Sequence, residues 1–156
     1  SALVMVGSNP CFVARDDWAS AMAVDTYHEF RQSLDVQAAK TLSRFIMLQT
    51  QGADAARETL KLLKGVLKAS EPSALAPALR LLESDARQAL ADLSQPVLLQ
   101  FGDKDLLVPV SAADGCKQLQ PAAHLAVYEG AGHLPFISHT EQWSEDVVRF
   151  LSEVEA

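Results

Sequence analysis

The chain of 156 residues contains no Gly-x-Ser-x-Gly motif, only two cysteines, and no apolar stretch approaching the ~20 residues that a membrane-spanning helix requires. Each absence excludes something. Without a long apolar run, no membrane span is expected. Cys11 and Cys116 are far apart, and no set of Cys, His and carboxylates has zinc-ligand spacing, so no metal is expected. Two isolated cysteines fit a reduced, cytoplasmic protein better than a disulfide framework. No charged-then-apolar leader precedes a small-residue cleavage site, so no signal peptide is expected. The chain opens Ser1-Ala2-Leu3-Val4-Met5-Val6, directly into an apolar run without an initiator Met, which reads as a cut end. The net charge of −7 argues against nucleic acid as a partner.

What is present suffices for one ordinary domain with a sizeable core, since 49% of the residues are hydrophobic. Residues 2–7 read as a buried strand closed by the turn cluster Gly7-Ser8-Asn9-Pro10. A helical block follows. Asp25 is expected to cap a helix to about Leu34, and Asp35 a second one ending near Gly52, with Ala38, Leu42, Phe45, Ile46 and Gln49 on one face. Asp54 begins a third with Leu60, Leu63 and Leu67. Glu71-Pro72 begins a fourth with Leu75, Leu79 and Leu82. Then the pattern changes to strand, helix, strand, helix: 96–101, 111–119, 124–128, and an amphipathic helix from Thr140 carrying Trp143, Val147, Phe150 and Leu151.

A βαβα ending implies a parallel sheet, so the fold class is α/β. The helical block is too long for a simple crossover and reads as a cap inserted over the sheet. The expected organisation is residues 1–12 as core strand and turn, 13–90 as cap, and 91–156 as the rest of the core.

Ligands of open parallel sheets bind at the carboxyl ends of the strands. Two such ends carry reactive side chains here: Asp105 after strand 96–101 and His133 after strand 124–128. On neighbouring strands they would lie side by side. An Asp beside a His fixes its tautomer and stabilises the imidazolium formed when the His takes a proton, which is what a serine nucleophile needs from its base. Either residue alone is ordinary loop chemistry; the two together, at successive strand ends, point to catalysis.

These loops, Gly102-Asp103-Lys104-Asp105-Leu106-Leu107-Val108-Pro109 and Gly130-Ala131-Gly132-His133, resemble the acid and histidine loops of the α/β-hydrolases, whose triad runs nucleophile, acid, histidine along the chain. The stretches Ser8-Asn9-Pro10-Cys11-Phe12, Asp16-Asp17-Trp18, Arg44 to Gly52 and His133 to His139 are similar to the pimeloyl-acyl-carrier-protein methyl ester esterases of biotin synthesis. The resemblance implies the C-terminal part of such an esterase, with Asp105 and His133 catalytic and no cofactor. It implies that Phe45, Met47, Leu48 and Gln49 line the acyl channel with His133. Read from the residues alone, Phe45 is equally a core residue and Gln49 a surface one.

The nucleophile elbow of that family has no counterpart here. Ser8 follows a strand and a glycine, but Ser8-Asn9-Pro10 cannot continue into the helix an elbow needs, and Ser111 has no elbow glycines. The nucleophile is therefore expected in a missing N-terminal portion, and the chain alone is expected to be inactive. Its open sheet edge is expected to pair with that portion or with a second copy of the chain.

Residues 40–68 carry six basic and two acidic side chains, a net +4 within an acidic chain. Arg57, Lys61, Lys64 and Lys68 share one helix face, and Lys40 and Arg44 form another i,i+4 pair. Such a run is either a solvated face or a docking surface for an acidic partner. The resemblance favours docking of an acidic acyl carrier protein. Two other readings stay open: another hydrolase of this fold, acting on a lactone or a carbon–carbon bond, and a non-catalytic fragment with a basic binding face.

Overall fold

The computed structural model describes residues 1–67 and 75–155. Its sheet has three parallel strands in the order β1 (Leu3–Val6), β2 (Val97–Gly102), β3 (His124–Tyr128). The register pairs Leu3 with Val97 and Leu98 with His124, and it ends with Gly102 level with Tyr128. Parallel neighbours need long crossovers. Between β1 and β2 the chain makes α1 (Val24–Thr50), α2 (Ala56–Leu67), α3 (Leu75–Leu81) and α4 (Arg87–Ala91). After β2 come α5 (Ala112–Leu119), β3, α6 (Pro135–Ser138) and α7 (Thr140–Glu155).

All six residues of the central strand β2 are buried, which explains its nearly continuous apolar run. Successive side chains alternate between the two faces. Val97, Leu99 and Phe101 pack with Leu90 of α4 and with Ala112, Ala113 and Cys116 of α5. Burying a side chain such as Phe101 contributes about 1.5–3 kcal/mol. Leu98 and Gln100 point the other way. There the Gln100 Nε2 donates to the Tyr128 hydroxyl at 2.6 Å, and that hydroxyl donates to Asp146 of α7 at 3.1 Å. Burial, with Asp146 beside it, pushes the Tyr128 hydroxyl far above the ordinary tyrosine range. Among the described residues, β1 pairs only with β2, leaving its other edge open.

The cap differs in detail from the sequence expectation. α1 is one long element with its break at Gln37 (φ −141°, ψ 54°), two residues beyond the expected boundary at Asp35. Asp25 lies in its first turn rather than at the cap, where Ala23 makes no side-chain capping bond. The expected start of the fourth helix, Glu71-Pro72, lies outside the described residues. The short helices α4 and α6 have too few turns to show a 3.6-residue pattern. α4 begins within the stretch read as cap, yet its Leu90 packs with the sheet. Tyr27 of α1 ties the cap together, with its hydroxyl 3.0 Å from the Leu79 carbonyl and 2.9 Å from Glu83.

The two passages of chain between sheet and cap run side by side. The Ala86 N–H donates to the Pro10 carbonyl at 2.8 Å, and Cys11 bridges to Asp85. Arg87 grips Asp85 through two nitrogens, reaches Asp17 at 3.0 Å and lies over the Trp18 ring. Its hydrogen bonds hold the Asp85 carboxyl down to about 2, from an ordinary 3.8. A depressed carboxylate stabilises the fold fully above its unfolded pKa and loses that stabilisation as pH falls through the folded value. Denaturant midpoints are therefore expected to drop as pH falls from roughly 4 to about 2. Asp85→Asn should flatten that part of the profile.

Candidate active site

Because Gly102 and Tyr128 are partners in register, the loops leaving β2 and β3 start at the same level and run beside each other. The acid loop turns back at once. Asp105 Oδ1 accepts the N–H groups of Leu107 at 2.8 Å and Val108 at 3.0 Å, a local Asx-type turn that its own side chain closes. Its other oxygen, Oδ2, lies 2.8 Å from His133 Nδ1. The Asp105 side chain has no solvent exposure, and the His133 side chain has 22%. A carboxylate fixed by two backbone donors can take the Nδ1 proton of the imidazole as its third. That assigns the Nδ1–H tautomer and leaves Nε2 as the free base. His133 lines a cavity of about 290 Å³ between sheet and cap, together with Gly7, Ser8, Phe12, Phe45 and Leu107.

Glycines make the approach possible. A Cβ on Gly102 would overlap the carbonyl oxygens of Ala131 and Gly132, so no other residue lets the two loops lie this close. Gly7 has φ +49°, and a Cβ there would stand 3.0 Å from the His133 carbonyl and 3.1 Å from its Nδ1. The loops are then laced by backbone bonds: Asp103 N–H to the Tyr128 carbonyl at 3.2 Å and Lys104 N–H to the Ala131 carbonyl at 2.9 Å. The cap grips the same loop from above. The Gln49 carbonyl accepts the His133 N–H at 3.1 Å, and the Asp54 N–H donates to the Gly130 carbonyl at 2.9 Å.

The residues expected along the acyl channel separate in the structure. Phe45 lines the His133 cavity and tilts against Phe30 at 5.4 Å between ring centroids. Leu48 lines an adjoining apolar pocket with Tyr27 and Leu79, and the two spaces share Phe12, Phe45, Leu82 and Leu107. Met47, 46% exposed, lines neither space, because it lies on another face of α1. Gln49 reaches the site through its backbone carbonyl; its side chain is not in the lining. Of the four residues expected to line the channel, Phe45 and Leu48 line these two spaces, and Met47 and the Gln49 side chain do not.

Ser8 lines the cavity, but its hydroxyl donates to its own strand at the Val6 carbonyl, 2.8 Å away. Ser111 is exposed at the head of α5. Among the described residues, no serine hydroxyl is hydrogen-bonded to His133. His28 is exposed, His124 lies 3.5 Å from Glu153, and His139 contacts the Glu129 carbonyl at 3.0 Å. The described residues contain no group of three or more potential metal ligands, and no helix among them is long and apolar enough to cross a membrane.

Lys40, Arg44, Arg57, Lys61 and Lys64 are all exposed and make no salt bridge among the described residues. Lys68 lies outside them. Arg44 also borders a groove of about 270 Å³ with Glu29 and Thr41, near the break in α1.

A parallel sheet with an acid loop and a histidine loop at successive strand ends, and a helical cap between the first two strands, defines the α/β-hydrolase fold, and this chain has the C-terminal part of it. Solved structures agree. A bromoperoxidase from Bacillus anthracis superposes with a TM-score of 0.85 at 18% identity, covering 97% of this chain and 58% of that one. An esterase from Exiguobacterium antarcticum gives 0.83 at 20%, covering 100% and 57%. Identities this low speak for the fold alone. By sequence, the chain is homologous to proteins named pimeloyl-acyl-carrier-protein methyl ester esterase. The identity is 41% over 145 residues for that of Nitrosomonas europaea, covering 90% of this chain and 58% of the relative. For that of Pectobacterium atrosepticum it is 41% over 152 residues, covering 95% and 59%. The chain thus spans about three-fifths of the length of the curated relatives it matches. No family model matches it.

Sequence reading missed Gly7, Gly102 and the carbonyl of Gln49. The first two end strands, where a glycine signals a tight turn or a close approach; nothing in the sequence marks a backbone carbonyl. Gly102→Ala is expected to lower stability by about 1–3 kcal/mol, measured by urea unfolding, because the obstructing atoms are backbone and cannot rotate away.

Proposed function

We propose that this chain supplies the acid and the base of a cytoplasmic serine carboxylesterase that cleaves the methyl ester of a pimeloyl chain carried by an acyl carrier protein, a step of biotin synthesis. The observation that carries the reading is the 2.8 Å contact of the buried Asp105 with Nδ1 of His133, which lines the cavity beneath the cap. The esterase relatives support the substrate class.

The serine would come from a segment outside this chain. Its Oγ attacks the ester carbonyl as His133 Nε2 takes its proton, and Asp105 stabilises the imidazolium. The tetrahedral adduct collapses when His133 returns that proton to the departing methanol. Water, deprotonated by His133 in turn, then releases the acid. The open edge of β1 supports pairing with the segment that bears the serine, or with a second copy of the chain. The apolar spaces around Phe45 and Leu48 suit the methylenes of the acyl chain. The exposed Lys40, Arg44, Arg57, Lys61 and Lys64, without a salt bridge among the described residues, suit an acidic carrier, which they would attract over a distance of about 8–10 Å at ordinary salt.

In the full-length protein, His133→Ala should lower kcat on the methyl ester at least about a thousandfold with little change in KM, measured by steady-state kinetics. An unaffected kcat would refute the assignment. Charge reversal at Arg57 and Lys61 should raise KM for the carrier-bound ester and leave a small free methyl ester untouched. Equal loss on both substrates would sink the docking role.

A further inference from the structure

The acid loop carries a second carboxylate, two residues before Asp105, that proton transfer does not use. Asp103 Oδ1 accepts the Gly130 N–H at 2.7 Å across the gap between the loops, and its Oδ2 lies 3.2 Å from Lys104 Nζ. Gly130 sits at φ +78° in the turn that closes with the Ala131 N–H on the Tyr128 carbonyl, so its own N–H points out of the turn and needs an outside acceptor. Its carbonyl, on the other side, takes the Asp54 N–H of the cap. The histidine loop is therefore held to the acid loop at two side-chain points three residues apart: Asp103 to Gly130, and Asp105 to His133. Backbone bonds already hold the loop at Tyr128, Ala131 and His133. The Asp103 carboxylate adds the acceptor for the Gly130 N–H, and so fixes the turn from which the chain leads to the imidazole.

We propose that Asp103 is a positioning residue for the reaction: by binding the Gly130 N–H it sets the height and tilt of the loop that presents His133. This rests on the catalytic reading of His133. The role needs an acceptor oxygen, and the negative charge is secondary, since its Lys104 partner is half exposed and worth little in water. Asparagine should therefore replace it and alanine should not.

The test combines two readouts on Asp103→Ala and Asp103→Asn, with circular dichroism to confirm that each is folded. In the full-length protein without substrate, proton NMR reads the His133 Nδ1–H resonance, which a short bond to a buried carboxylate holds downfield and protects from exchange. Asp103→Ala should move it upfield or lose it to exchange, and Asp103→Asn should keep it. In the full-length enzyme, Asp103→Ala should lower kcat about ten- to a hundredfold, the scale of an angstrom of misplacement, at nearly constant KM. Asp103→Asn should stay near the wild-type rate. An alanine variant that keeps both the resonance and kcat while only its melting temperature falls would overturn the proposal. An asparagine variant as impaired as alanine would overturn it as well. Because the resonance is read without substrate, it decides the positioning role even if the wild-type enzyme proves inactive on the ester, a result that would count against the esterase reading alone.

Discussion

The site depends on one constraint: two loops from neighbouring parallel strands must approach within hydrogen-bonding distance along their whole length. The register that sets Gly102 beside Tyr128 starts them level. Gly102 removes the Cβ that would hold the histidine loop away. Backbone bonds from Asp103 and Lys104 then draw the strands of chain together, and only within that frame does the buried Asp105 carboxylate meet the imidazole. The contact is useful because it is dry. A carboxylate with no exposure, already bonded to two backbone N–H groups, has little freedom to turn away.

The cap is part of the same construction. The irregular chain of residues 7–23 after β1 and the short segment before α4 form the two stalks of the cap, and the Arg87–Asp85–Asp17 cluster clasps them. At the far end, the carbonyl of Gln49 and the N–H of Asp54 close on the histidine loop. The cap thus touches the core at its root and at the histidine loop, and the cavity lies between these two contacts. The basic residues of α1 and α2 ride on the helices that flank Gln49 and Asp54.

Much of this was legible in the chain. Turn glycines and proline bound each strand, β2 reads as an unbroken apolar run because it is central, and β3 was read at its observed limits. Asp105 and His133 stood out because reactive side chains at successive strand ends are few. Asp103, in the same loop, looked like one more turn acid, since its acceptor role depends on a donor 27 residues away. Capping chemistry predicts the break in α1 at Asp35, but the helix continues two residues further to Gln37. Local capping preference is weak beside the packing of Leu34 and Tyr27 against α3.

By itself the sequence determined the order of the strands and longer helices, the candidate pair Asp105 and His133, and the charge of the cap, because these follow from periodicity, turn chemistry and residue type within short windows. Only the tertiary structure decided which cap residues reach the site. Phe45 faces the His133 cavity, Leu48 the space behind it, Met47 the solvent, and Gln49 contributes a carbonyl rather than its amide. Helix residues point about 100° apart, so the angle at which α1 docks on the sheet, set by contacts far along the chain, selects one neighbour and turns the next away.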